Sequence, residues 1–353
     1  MDNTGSVRLN NFDFLRIVAA FLVLISHQYA LNGLPEPAFL NSMSLGTLGV
    51  LVFFSISGFL VSQSWRQDPH AIRFLAKRIL RIWPGLAAVT LISACVLGPM
   101  VSTLQWQDYL HHPNLTDFLR NLKVVTIRYF LPGVFEENVY PRAVNGSLWT
   151  IPLEVRCYLA LLVVGCIGLM KHPLLVLLGL IGFTTYYFAV APDPLNYQYH
   201  FGLFFFAGVC LDLFRNRWMQ RPAYLFLALG VLAAGCYLLG AGGAAFFLLI
   251  PVVVVAFGIR STAVVKRAGR FGDMSYGIYI YAFPVQQTIL WIVGKDFPFM
   301  QGLLLAAIAT TVCAYLSWHL IERPALGLKR RLPRRAAGKP VTTVESSDAR
   351  PVT

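Results

Sequence analysis

Arg16 and His27 stand eleven positions apart in the apolar stretch LRIVAAFLVLISH. At about 100° and 1.5 Å per residue, that spacing returns to within about 20° of one direction and separates the two by about 16 Å along a helix. A cation near one end and an imidazole near the other therefore share a face. Asp13, three residues before Arg16, lies on the same stripe and can pair with it. An imidazole held away from water suits the work of a general base. Simpler uses exist for each group. An interfacial salt bridge accounts for Asp13 and Arg16, and a packing contact with a neighbouring helix accounts for His27.

Two further sets carry chemistry. Glu154 lies in NGSLWTIPLEVRCYL. A helix starting near Ser147 puts it about 10 Å deep, level with His27 from the same side. A carboxylate and an imidazole at one depth predict a hydrogen-bonded pair that orients the ring and raises its basicity. Arg156 either neutralises Glu154 or faces another helix. Arg78 and Arg81 are three apart on a helix and share a face. Paired guanidiniums suit phosphate, since each offers two parallel donors, and Arg73 and Lys77 enlarge the patch. Attraction to anionic lipid is the competing use. His200 and His319 read as interfacial, His111 and His112 as structural, and Asp212 and Asp273 as solvated caps. No metal is implied.

These groups need helices in lipid to position them. Of 353 residues, 57% are hydrophobic and only 13% charged, against about 25% charged for an ordinary soluble domain. That excludes a soluble domain, a disordered chain and a disulfide scaffold, and predicts an all-α polytopic membrane protein. Ten apolar runs lie near 12–31, 45–65, 83–104, 147–170, 173–191, 198–214, 222–239, 243–259, 272–293 and 300–322. With both termini cytoplasmic, most of the 29 basic residues fall in inner loops, and the short outer loops near 32–44, 192–197 and 240–242 have none. The net charge of +13 is thereby assigned to membrane topology and lipid contact, not to nucleic acid. Residues 66–82 read as an amphipathic stretch on the inner surface. The outer loop 105–146 is long enough to cover a site. The six cysteines lie in apolar runs without a CxxC pair and read as core residues. The first run carries Arg16 and His27 and lacks a clear cleavage site, so it reads as a mature helix, not a signal peptide.

The ordered fragments resemble the acyltransferase-3 family of integral membrane acyltransferases. They are Arg16 and His27 on the first helix, FFSISGFL with Ser57 and Gly58, and RILR with Arg78 and Arg81 before Trp83 and Pro84. SLWTIPLEVRCYL follows with Trp149, Glu154 and Tyr158, then FGDMSYGIYIYAFPV with Ser275, Tyr276, Tyr279 and Pro284, and IERP closes the last helix. Many members have a histidine where this chain has Ala282, and Cys157 replaces the usual aromatic. The pattern is most similar to exopolysaccharide and nodulation-factor acetyltransferases. The resemblance implies a membrane domain over 9–326 with a basic tail over 327–353, in a bacterial cytoplasmic (inner) membrane. It implies acetyl-CoA as co-substrate, no permanently bound cofactor, and as acceptor a hydroxyl of a cell-surface or secreted carbohydrate, free or lipid-linked. Arg16, Arg78 and Arg81 would then hold the donor, while His27 and Glu154 would be catalytic. A multi-pass transporter or flippase for a lipid-linked sugar is the reading from another class. It shares the helices and the buried charges but not the ordered motifs.

Overall fold

A computed structural model describes residues 10–190 and 197–331. Apolar runs in lipid must satisfy their own backbone groups, which helices do, and ten long helices stand at the ten expected places. They are α1 (Phe12–Leu31), α2 (Leu45–Gln67), α3 (Ala71–Val101), α4 (Gly146–Cys166), α5 (Pro173–Val190), α6 (Tyr197–Leu213), α7 (Pro222–Leu238), α8 (Gly242–Gly258), α9 (Ser275–Val293) and α10 (Phe299–Gly327). By length and composition α1, α2, α3, α4 and α10 are able to cross a membrane, while α5 to α8 are apolar but shorter. Sheet among the described residues is a two-residue hairpin, Ala38–Phe39 with Met43–Ser44. Part of the expected turn at 192–197 and the expected tail beyond 331 lie outside the described residues.

Helix α2 is central, packed against α1, α6 and α8. Small residues let backbones approach where lipid offers no hydrophobic drive for helix pairing. A side chain at Gly58 would run into the Phe205 carbonyl oxygen, and one at Gly208 into that of Ser55. Helix α9 packs on α1 and α10. The N-terminus of α1, the C-terminus of α2, the N-terminus of α3 and the segments 259–274 and 323–331 meet at one end, called the basic end below. Asn11 fixes that meeting, with its Nδ2 donating to the Phe257 carbonyl (3.1 Å) and to Thr262 Oγ1 (2.9 Å).

Two expectations change. The stretch 66–82 is not a separate surface helix. From Ala71 it is the first half of α3, continuous with the expected third span. Its Phe74 and Ile82 are buried, and Arg73 and Arg81 have carboxylate partners within the protein, so one face packs inward while Ile72 and Ile79 stay exposed. Pro84 is tolerated inside α3, and near it Tyr276 Oη donates to the Ile82 carbonyl at 2.8 Å. The segment 105–145 is not only polar cover. Tyr109, Phe118, Leu131, Val134, Phe135 and Val144 form a small core of their own against Ala94 and Val101 of α3. Asn138, Asn145 and Gln287 fasten this segment to α9 with bonds of 2.8–3.0 Å.

Candidate active site

At the basic end a cavity of about 300 Å³ lies between α1, α2, α3, α4 and α9 and the end of α10. Its wall carries four cations, Arg16, Arg78, Arg81 and Lys329, and two carboxylates, Glu154 and Asp273. The structure thus brings together four of the five residues singled out in the sequence. Helical spacing explains this for α3, where Arg78 and Arg81 are nearly a turn apart and present one face. Tyr276 and Tyr279 line the cavity from α9 at the same spacing.

Asp273 organises the charges. Arg81 Nη2 donates to its Oδ2 at 2.6 Å and Arg16 Nη1 to the same oxygen at 3.4 Å, while Ser275 Oγ donates to Oδ1 at 2.7 Å. Arg16 also reaches Asp13 Oδ1 at 3.4 Å, so the expected i,i+3 pair is present. One carboxylate therefore ties α1, α3 and the start of α9. Burial by itself would push the Asp273 carboxyl up. Arg81, Arg16 and the Ser275 hydroxyl together outweigh it and hold the group at about 2, so it is ionised at neutral pH.

Arg78 is held differently. Its guanidinium carbon lies 5.7 Å from the Phe74 ring centre and 5.6 Å from that of Tyr158, within the range of cation–π attraction. Its Nη2 donates to Ser64 Oγ at 3.4 Å, and its Nε is buried with no partner. Glu154 accepts from the Tyr158 hydroxyl, and from Ser57 Oγ at 3.3 Å. Ser57 Oγ and Tyr158 Oη are themselves 3.1 Å apart. At the far end of the cavity Thr150 Oγ1 and Tyr279 Oη lie 2.7 Å from each other.

His27 stands outside this wall. Its ring meets Phe283 edge-on, with centroids 5.2 Å apart, and its Nδ1 is buried with no partner. Tyr279 and Phe283 are four residues apart on α9, so the cavity stops roughly 6 Å short of His27 along that helix. The expected hydrogen bond between Glu154 and His27 is not made. Tyr158, one turn on from Glu154, and Ser57 from α2 take the carboxylate, while the ring of His27 turns to α9. Beyond His27 the α1–α9 contact is made of neutral amides. Gln286 is fully buried, and its Nε2 donates to the Leu24 carbonyl and to Gln28 Oε1, both at 2.8 Å, while its Oε1 has no partner.

Other sequence readings are corrected. Arg73 and Lys77 do not extend the cavity patch. Both bond Asp68, Lys77 at 2.7 Å, and these bonds, that of Arg73 foremost, hold the Asp68 carboxyl well below the usual range. Arg156 is exposed and lines a second, apolar cavity between α4, α5 and α6, away from Glu154. Asp212 and Asp273 are not solvated caps. Asp212 is 1% exposed and accepts from Ser62 Oγ at 2.7 Å and Arg66 Nη1 at 3.2 Å. Leu326 and Lys329, at and beyond the boundary expected at 326, both line the cavity. Asp273 was marked only by its place beside the SYGIY motif. Lys329 carries no local signal, because the residues after it are basic too.

Residues 9–319 match the acyltransferase domain family. An O-acetyl transferase of Shigella phage Sf6 is 31% identical over 326 residues, covering 89% of this chain and 95% of that protein. Nodulation protein 10 of Rhizobium leguminosarum bv. viciae is 27% identical over 365 residues, covering 92% of this chain and 95% of that protein. No solved structure matches.

Proposed function

The chain belongs to the acyltransferase-3 family, and on that premise we propose that it moves an acetyl group from acetyl-CoA to a sugar hydroxyl of a cell-surface or secreted carbohydrate. The site is multi-pass in a bacterial cytoplasmic membrane, with the basic end facing the cytoplasm, where acetyl-CoA is made. The observation that carries this reading is the cavity at the basic end, with its four cations and the unpartnered buried Nε of Arg78. A cavity of about 300 Å³ takes an extended apolar arm with a few polar groups, not a whole nucleotide. The phosphates of the donor then stay at the basic mouth, and the thioester arm runs along the Arg16 stripe toward His27. Phosphate matches guanidinium in charge and in geometry.

At the far end the sugar hydroxyl attacks the thioester carbonyl. His27 takes the hydroxyl proton as the carbon–oxygen bond forms, and then gives it to the departing sulfur as the carbon–sulfur bond breaks, which leaves the sugar ester and the free CoA thiol. Direct transfer and brief acyl carriage on His27 both fit a lone imidazole. Glu154 belongs to the donor half. It fixes Ser57 and Tyr158 against Arg78 instead of orienting His27. The segment 105–145 covers the acceptor side, where the acceptor is free or lipid-linked.

Mass spectrometry of the cell's surface and secreted carbohydrates, with and without this gene, tests the reading. Loss of acetyl mass increments from one glycan upon deletion, restored by the intact gene but not by His27→Ala, is the expected result. Unchanged acetylation of every glycan would overturn it.

A further inference from the structure

The cations of the basic-end cavity are not equivalent. Arg16 and Arg81 share the Asp273 carboxylate, and Arg16 has Asp13 besides. Their charge is largely balanced before any ligand arrives. Arg78 and Lys329 have no such partner. The carboxylate nearest in kind to Arg78 is Glu154, which is already bonded by Tyr158 and Ser57. Arg78 makes no ion pair among the described residues, and its buried Nε has no acceptor. Lys329 comes from the segment that follows α10, beyond residue 319, where the family match ends. It lines the same cavity, half-buried, and makes no ion pair among the described residues.

We propose that Lys329 is a donor-binding residue, which with Arg78 forms the subsite that takes the phosphates of an acyl-CoA donor at the mouth of the cavity. This inference rests on the donor reading above and names the residues that carry it. Excess positive charge, after the internal pairs are subtracted, is concentrated on these two groups. Arg supplies a fixed planar fork and Lys a mobile point charge, a combination suited to a cluster of phosphates of different depth. Arg16 and Arg81 then serve chiefly to hold α1, α3 and α9 around the cavity.

The electrostatics of Lys329 give the idea a signature. Burial foremost, then the charges of Arg78, Arg81 and Lys77 of α3, lower its ammonium to about 8, with Asp273 opposing. A bound phosphate favours the charged form and raises it again. Below about pH 8 the ammonium is already charged, and the donor binds at full strength. As pH rises through about 8 the free protein loses that charge, so donor binding weakens.

The experiment uses the full chain in nanodiscs of neutral lipid, with acetyl-CoA as the probe and transfer measured from pH 6.5 to 9.5. In the wild type the KM for acetyl-CoA is expected to rise several-fold above pH 8 while kcat changes less. Lys329→Ala should raise that KM about tenfold at pH 7, the low end for one charge-assisted bond because the group is partly exposed, and should abolish the rise with pH. Lys329→Arg should keep the low KM and also abolish the rise, which separates lost charge from lost folding. Arg217→Ala, which removes an exposed cation outside the cavity, should change neither. A Lys329→Ala protein with wild-type KM and pH profile would overturn the proposal. So would an equal effect from Arg217→Ala, or an effect seen only after acidic lipid is added, which would assign Lys329 to headgroups. A wild type with no acetyl-CoA-dependent transfer would remove the donor reading itself and this inference with it.

Discussion

The stripe of α1 that starts at Arg16 and reaches His27 passes between two different environments. At the basic end it meets Asp273, Arg81, Arg78, Glu154 and Lys329, and charge is matched against charge across four helices. At the other end it meets Phe283 and the amides of Gln28 and Gln286, and His27 has no charged neighbour within bonding distance. The first region is held by internal ion pairs and, among the described residues, leaves Arg78 and Lys329 of its wall without an ion pair. The second keeps one titratable group in neutral surroundings, with a ring nitrogen unused. A buried charge must be paired or pay for desolvation, so a site that binds anions is built around a carboxylate. A group that must accept and release a proton needs no fixed counter-charge. On the proposed reading, this difference places donor binding at one end of α1 and proton transfer at the other.

Each substitution below tests that separation. His27→Ala should lower transfer by about 10²–10⁴, the usual worth of a general base, with the KM for acetyl-CoA little changed. Single-turnover assays with saturating donor check it, and retention of a third of the activity would place the chemistry elsewhere. Asp273→Asn takes from Arg81 its carboxylate and leaves Arg16 with Asp13 alone. Removing one partner of a fully buried pair costs about 3–5 kcal/mol, and less here because about a fifth of each side chain is exposed. Thermal unfolding in detergent should show the loss, and Ser275→Ala, which removes one hydrogen bond to the same carboxylate, should show a smaller one. Acid does the same work. The Asp273 carboxyl sits at about 2, below its ordinary value of 3.8, so its contribution is complete above about pH 4 and is lost as pH falls toward 2.

Arg78→Ala should raise the KM for acetyl-CoA roughly ten- to a hundredfold, the equivalent of about 1.5–3 kcal/mol, with a smaller change in kcat. Acceptor dependence should be unaffected, and a shift in acceptor KM alone would move Arg78 out of the donor half. Glu154→Gln should have the smallest effect on the pH–rate profile. Since Glu154 bonds Tyr158 and Ser57 and not His27, the acid limb should stay in place while donor KM rises. An acid limb displaced to lower pH would restore a direct influence of Glu154 on His27 and blur the two regions into one.

The helices were legible because apolar runs of membrane length are interrupted by basic or Gly-rich turns, and all ten runs are helices in the structure. The shared face of Arg78 and Arg81 was legible from helical spacing, and their grouping with Arg16 only from the resemblance to the family. The partner of Glu154 was not. Depth counted from a helix start is one coordinate, and it placed Glu154 level with His27 without fixing the rotation of α4. The hydroxyl of Tyr158 at i+4 was available in the sequence as a competitor, and it won. Asp212 and Asp273 were misread for a related reason. Asp212 lies in the last turn of α6 and Asp273 just before α9, near helix ends where acids are commonly solvated, and nothing local shows that Arg66, Arg16 and Arg81 converge on them.

What the sequence by itself determined is the set of properties that repeat along the chain: membrane helices, the stripe from Arg16 to His27, the shared face of Arg78 and Arg81, and the order of motifs that marks the family. These follow from periodicity and composition, which need no knowledge of neighbours. The tertiary structure alone decided which charges neutralise each other. It gave Arg16 and Arg81 to Asp273, gave Glu154 to Tyr158 and Ser57, left His27 among neutral groups, and brought Lys329 from beyond α10 to the mouth of the cavity. The reason is physical. An ion pair depends on a few ångströms and on the rotation of each helix, and residues 81 and 273 come within 2.6 Å only after the bundle has closed.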